Sequence, residues 1–131
     1  MKRDIESAED IRLLVNRFYD KVKSDPIIGF IFNDVVKVNW NNHLPVMYRF
    51  WENVLFHTGT YGSNPMEVHL SLNDRVPLKG EHFKQWKKLF LETIDEFFEG
   101  DIAEMARQRA LSIATVMEIK IAARREGLSL N

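Results

Sequence analysis

Cysteine is absent from this chain, and glycine and proline are scarce, with six and four copies. Without cysteine there is no disulfide framework, no thiolate metal site and no cysteine nucleophile. A reducing compartment suits such a chain. Scarce glycine and proline leave long stretches free of helix breakers, and both residues fall at points where elements should begin or end. No apolar run approaches the length of a membrane span, and the start, Met1-Lys-Arg-Asp-Ile-Glu6, leads into no signal-peptide core, so a cytoplasmic protein with no membrane contact is expected. A net charge of -1 gives no electrostatic reason to expect nucleic acid as a partner. No His-Glu-x-x-His pair suggests a zinc hydrolase, and no spacing suggests a nucleophile triad. The 131 residues, 45% hydrophobic, suit one domain spanning 1–131 with a single core.

What is present is helical periodicity. Ser7-Ala-Glu-Asp10 reads as a cap ahead of Ile11, Leu14, Val15, Phe18 and Val22, which share a helix face with Tyr19 at its edge. Asp25-Pro26 ends that helix and opens a short apolar one, Ile27 to Phe32, which Asn33-Asp34 should stop. Val35 to Asn42 reads as a connector. The next helix should start close to Asn42, keep Pro45 in its first turn and run to Phe56, with His43, Met47, Phe50 or Trp51, and Val54 on one face. Asn64-Pro65 signals a short helix carrying His69, cut off by Asn73, Asp74 and Pro77. Phe83, Trp86, Phe90, Ile94 and Phe97 mark a further helix, closed by Gly100. The last starts at Asp101, with Glu104 completing a capping-box pattern. It buries Ile102, Ala106, Ala110, Ile113, Met117 and Ile121, and ends at Arg124 and Arg125 ahead of Gly127 as the C′ residue. The fold class is all-α.

Three Trp and nine Phe are many for this length. An aromatic-rich helical face is first of all a core, but a large flat cofactor needs the same walls, and the pattern does not separate the two. Nor does His69 by itself: a lone histidine near a helix is more often a surface or a satisfied core residue than a ligand. His57, at a helix end, and His82, in a first turn, read as surface histidines.

Taken in order, Phe18-Tyr19, Phe32, His43-Leu-Pro-Val-Met47-Tyr-Arg-Phe50-Trp51, His69 after Pro65, and His82-Phe83-Lys-Gln-Trp86-Lys-Lys-Leu89-Phe90 are together a specific signal. The chain resembles the truncated haemoglobins, and within them the third group, from about Ile11 to the last helix. The lack of Gly-Gly pairs, which other groups carry in their loops, agrees. The resemblance implies a shortened globin: a two-over-two helical sandwich around haem b (iron protoporphyrin IX). It implies His69 as the proximal iron ligand, Tyr19, His43, Met47 and Trp86 on the distal side, Phe32 wedged against the porphyrin, and Phe83 and Trp51 as further walls.

The chemistry of these residue types suits those roles. Haem iron takes one neutral imidazole and leaves the opposite side to a small ligand, while the imidazole's second N–H needs an acceptor, for which the Pro65 and Met66 carbonyls are candidates. Bound dioxygen carries partial negative charge, so the Tyr19 hydroxyl, the Trp86 indole and the His43 imidazole are apt donors. For His43 three positions stay open: turned in to a ligand, turned out to open a channel, or bound to iron. Arg49 and Arg75 are candidates for the propionates, although Arg49 also reads as part of a solvated face.

The expected function is binding of dioxygen, nitric oxide or another small diatomic, for oxygen transport or with turnover by NO dioxygenation or peroxide chemistry, fed by a reductase. The alternatives are a haem sensor and a helical interaction module without cofactor.

Overall fold

The computed structural model describes residues 2–35, 39–57 and 78–125. The His69 helix with its Asn64-Pro65 start, the valine connector at 36–38, Arg75 and Gly127 lie outside the described residues. Among the described residues four long helices carry the fold: α1 (Ala8–Ser24), α2 (Trp40–Phe56), α3 (Gly80–Phe97) and α4 (Asp101–Arg125). Helix α1 packs against both α2 and α3, α4 packs against α3, and α2 reaches α4. Among the described residues there is no strand, only one isolated bridge between Arg3 and Phe98, and no helix is long and apolar enough to cross a membrane.

Helix α1 follows its periodicity closely: Ile11, Leu14, Val15, Phe18, Tyr19 and Val22 are all buried. Its first turn is tied by Asp10, whose carboxylate accepts from the backbone N–H of Glu6 at 2.8 Å and of Ser7 at 3.2 Å. The Arg3 guanidinium grips the same carboxylate and, against the cost of burial, holds Asp10 below the usual carboxylate range.

The short apolar helix differs from expectation. Ile31–Val35 is a π-helical turn, so Asn33-Asp34 lies within the helix instead of stopping it. Asn33 is accommodated because its side-chain amide donates to the Lys23 carbonyl at 2.7 Å. Gly29 makes that approach possible: a Cβ there would stand 2.9 Å from the Val22 carbonyl oxygen and 3.0 Å from that of Lys23.

Helix α2 begins at Trp40, two residues before Asn42, with Asn39 as N-cap. Pro45 is therefore the sixth helical residue and stands inside the helix, where its ring denies the Asn41 carbonyl an N–H partner. The buried stripe is Met47, Trp51 and Leu55; Phe50 and Val54 are only half-buried. On α3 the stripe reaches Phe90 and Ile94, but Phe98, at the C-cap, is buried where Phe97 was expected.

The start of α4 is capped from a distance. Asp101 is already helical, and the Asp4 carboxylate accepts from the N–H groups of Ile102 at 2.9 Å and Ala103 at 2.8 Å. Burial raises the Asp4 pKa, but these backbone donors outweigh it and the net shift is downward. Glu104 is occupied with Arg107 and Gln108. Gly100, at φ 139°, lets Asp4 approach, since a Cβ would fall 2.5 Å from its Cγ. The inner face of α4 is small, with Ala103, Ala106, Ala110 and Ala114 fully buried, while Ile102 and Ile113 are half-buried.

Candidate ligand cleft between the helices

Phe18 and Phe90 lie at the centre of the helix sandwich. Phe90 is stacked by Trp51 on α2, at 4.8 Å and 21°, and by Trp86 on its own helix, at 5.6 Å and 6°. Phe18 meets Phe90 and Trp86 edge-on at 5.0 and 5.6 Å. Such pairs add roughly 0.5–1.5 kcal/mol each beyond their buried area, so this stack is a rigid wall.

Two hollows open beside it. One is lined by Tyr19, Met47, Trp51 and Trp86, with Phe18, Phe50, Ile113 and Met117, and the other by Phe32, Phe83 and Trp86, with Ile28, Ile31, Leu78, His82 and Met117. They share Trp86 and Met117 as a common wall. Phe32, Met47, Trp51, Phe83 and Trp86, on three elements, thus line a cleft made of two adjoining hollows.

The polar pair is Tyr19 and His43, with the His43 Nε2 3.3 Å from the Tyr19 hydroxyl. Burial drives the Tyr19 pKa well upward, so its hydroxyl stays protonated. With Nε2 protonated, the imidazole donates to the phenol oxygen and leaves the Tyr19 O–H for another acceptor. In the other tautomer the Tyr19 O–H donates to Nε2. Of the pair, Tyr19 lines the first hollow.

Met117, Ile113 and His82 line these hollows and Trp40 packs beside them, although the sequence expectation placed none of them at the site. Met117 and Ile113 come from the last helix. Trp40, read as connector, is packed by ring contacts with Tyr19 at 5.2 Å, His43 at 5.7 Å and Phe32 at 6.2 Å. Its three-residue spacing from His43 is the signal that would have found it. His82, read as a surface residue, has a side chain only 11% exposed. Its Nδ1 accepts from the Lys79 backbone N–H at 3.0 Å, so the proton sits on Nε2. His57 is at a helix end as expected, the left-handed C-cap of α2 at φ 56°. Arg49 is exposed on the solvated side of α2.

The described helices form an all-α sandwich with aromatic-walled hollows, the class of fold to which the shortened globins belong. No family model matches the chain. The curated relative "Group 3 truncated hemoglobin ctb" of Campylobacter jejuni is 32% identical over 118 residues, covering 88% of this chain and 91% of the relative. The crystal structure of the group III truncated haemoglobin from the same organism superposes with a TM-score of 0.80 at 31% identity, covering 92% of this chain and 95% of that one. The chain belongs to the group III truncated haemoglobin family.

Proposed function

We propose that this chain binds haem b in the cleft and takes a small diatomic ligand, dioxygen or nitric oxide, on the side of Tyr19 and His43. The supporting observation is the Tyr19–His43 contact at 3.3 Å, with Tyr19 lining a cleft walled also by Phe32, Met47, Trp51, Phe83 and Trp86. These residues fit the group: stacked rings suit a planar apolar macrocycle, and a protonated phenol beside an imidazole suits an electron-rich ligand at its centre. The haem would supply the iron centre that holds the ligand. His69 is our candidate for the protein ligand to that iron, on the strength of the family resemblance and the affinity of haem iron for neutral imidazole.

The residues of this chain divide the remaining work. The aromatic walls bind the macrocycle and exclude water. The Tyr19 O–H, with burial keeping its proton in place, donates to the ligand, and His43 and the Trp86 indole are the further donors. Arg49 and Arg75 are the proposed propionate partners, Arg49 from its exposed place on α2. Binding for transport needs nothing further from the chain. Turnover by NO dioxygenation or peroxide chemistry would draw electrons from a reductase, a partner that belongs to this proposal.

Replacing His69 with Ala tests the assignment. Faster haem dissociation and an altered ferrous spectrum are expected, because the cleft alone then retains the porphyrin. Unchanged haem retention with normal five-coordinate spectra would refute it.

A further inference from the structure

The Tyr19 ring meets three other rings on the ligand side. Tyr19, Phe32, Trp40 and His43 form a closed cluster, every neighbouring pair of which lies within 6.3 Å between centroids. Within it Trp40 has a particular place. It touches all three other rings, stacking on Phe32 at 28° and meeting His43 near perpendicular at 75°. It is half-buried, and its neighbours Asn39, Asn41 and Asn42 are exposed, so it closes the cluster on the solvent side. Lys23 places its ammonium over the indole, 4.6 Å from the centroid. The backbone that carries Lys23 is fastened in turn, by the Asn33 amide on its carbonyl and by the close passage of Gly29. The indole is therefore held between the end of α1 and the π-helical turn, one helical turn before His43.

We infer that Trp40 is a positioning residue of the ligand side: it holds the His43 imidazole against the Tyr19 hydroxyl and closes the outer face of the site, with Lys23 pinning the indole from outside. A half-buried imidazole on a helix has open rotamers toward water, and here the indole edge occupies the space beside it. The ring contacts favour the inward position, and the cation over the outer indole face adds to them. The inference rests on the proposed haem reading for its kinetic consequence, though not for the ring geometry itself.

The test compares Trp40→Ala, Trp40→Leu, Trp40→Phe and Lys23→Met with the unchanged protein. Three quantities are read: the NMR ring-to-ring contact between His43 and Tyr19 in the chain as purified, the carbon monoxide association rate, and the infrared stretch of bound carbon monoxide. Trp40→Ala should lose the ring contact and move the stretch toward that of an apolar pocket. It should also raise the association rate roughly tenfold, the population shift expected from losing one or two ring contacts. Trp40→Leu keeps bulk without the flat ring and should behave likewise, which covers the case in which alanine disturbs folding. Trp40→Phe should restore all three readouts, and Lys23→Met should move them slightly in the alanine direction. Alanine and leucine variants with unchanged ring contact, rate and stretch would overturn the inference, and so would a phenylalanine variant as perturbed as the alanine one. Failure of the unchanged protein to take up haem would refute the haem reading instead, and the ring contact would still decide the role of Trp40.

Discussion

Two aromatic clusters stand side by side in this protein and do different work. The inner one, Phe18, Trp51, Trp86 and Phe90, is centred on rings exposed by 2% or less and is held by stacking. The outer one, Tyr19, Phe32, Trp40 and His43, is half-buried except for Tyr19, carries a phenol, an indole and an imidazole, and has a lysine over its rim. Residue type does not separate them, since each contains a tryptophan and a phenylalanine. Access to solvent at their centres does: Phe18 and Phe90 are closed off, while Phe32, Trp40 and His43 are half-buried. The inner cluster contributes stability and a flat wall, while the outer one, together with the Trp86 indole, carries the polar tips that the proposed function uses.

The largest expected effect breaks the inner cluster. Phe90→Ala should lower unfolding free energy by about 3–5 kcal/mol, the usual loss for a large buried ring. Phe32→Ala, from the half-buried outer cluster, should cost clearly less. Urea titrations of both variants make the comparison, and equal losses would mean that the clusters share one packing role.

Next come the ligand donors of the proposed site, Tyr19 from the outer cluster and Trp86 from the inner one. Tyr19→Phe and Trp86→Phe should each weaken the dioxygen complex by ~1–3 kcal/mol, mostly as faster dissociation, with much less effect on carbon monoxide. Stopped-flow rates for both gases check this, and equal effects on the two would point to sterics.

Pro45 sharpens the comparison from the helix that serves both clusters. Because it stands at the sixth helical position, Pro45→Ala should raise stability by up to ~3 kcal/mol, restoring a donor to the Asn41 carbonyl. Thermal unfolding reads the gain, and no change would place Pro45 effectively in the first turn.

The smallest effect lies away from both clusters, at the carboxylates of Asp4 and Asp10. Both titrate below the ordinary carboxylate range in the folded chain. Their stabilisation is therefore present above the unfolded-state carboxylate pKa, and is lost as pH falls through that value toward the folded one. Asp4→Asn should cost about 0.5–2 kcal/mol at neutral pH, as for a weakened helix cap. It should also flatten the loss of stability below about pH 4. Urea midpoints at neutral and acidic pH test both statements.

How far the sequence could be read follows from the range of each interaction. The α1 stripe and the Phe90 and Ile94 positions of α3 were legible because helix period and burial agree locally. Three features were not. The cap of α4 comes from Asp4, so Asp101-Glu104 mimicked a local cap that a distant carboxylate supplies. The π-helical turn depends on Asn33 reaching the Lys23 carbonyl, a tertiary contact. Helix α2 begins earlier than its proline suggested, since Asn39 rather than Asn42 stands at the cap. At the site, Tyr19, Met47, Trp51 and Trp86 line one hollow and His43 meets Tyr19 beside it, whereas composition alone left all five as core. Trp40 was hidden by its polar neighbours, and His82 by a first-turn position that looked exposed. His69 lies outside the described residues, so its role rests on sequence and resemblance.

The central claim is that this cleft is a haem site with its ligand side at Tyr19 and His43. Titrating the purified chain with haem, followed by absorbance at the Soret band, tests it most directly. The account predicts saturation at one haem per chain, with a ferrous form that takes up carbon monoxide. A chain that binds no haem, or binds it without a stoichiometric end point, would contradict it.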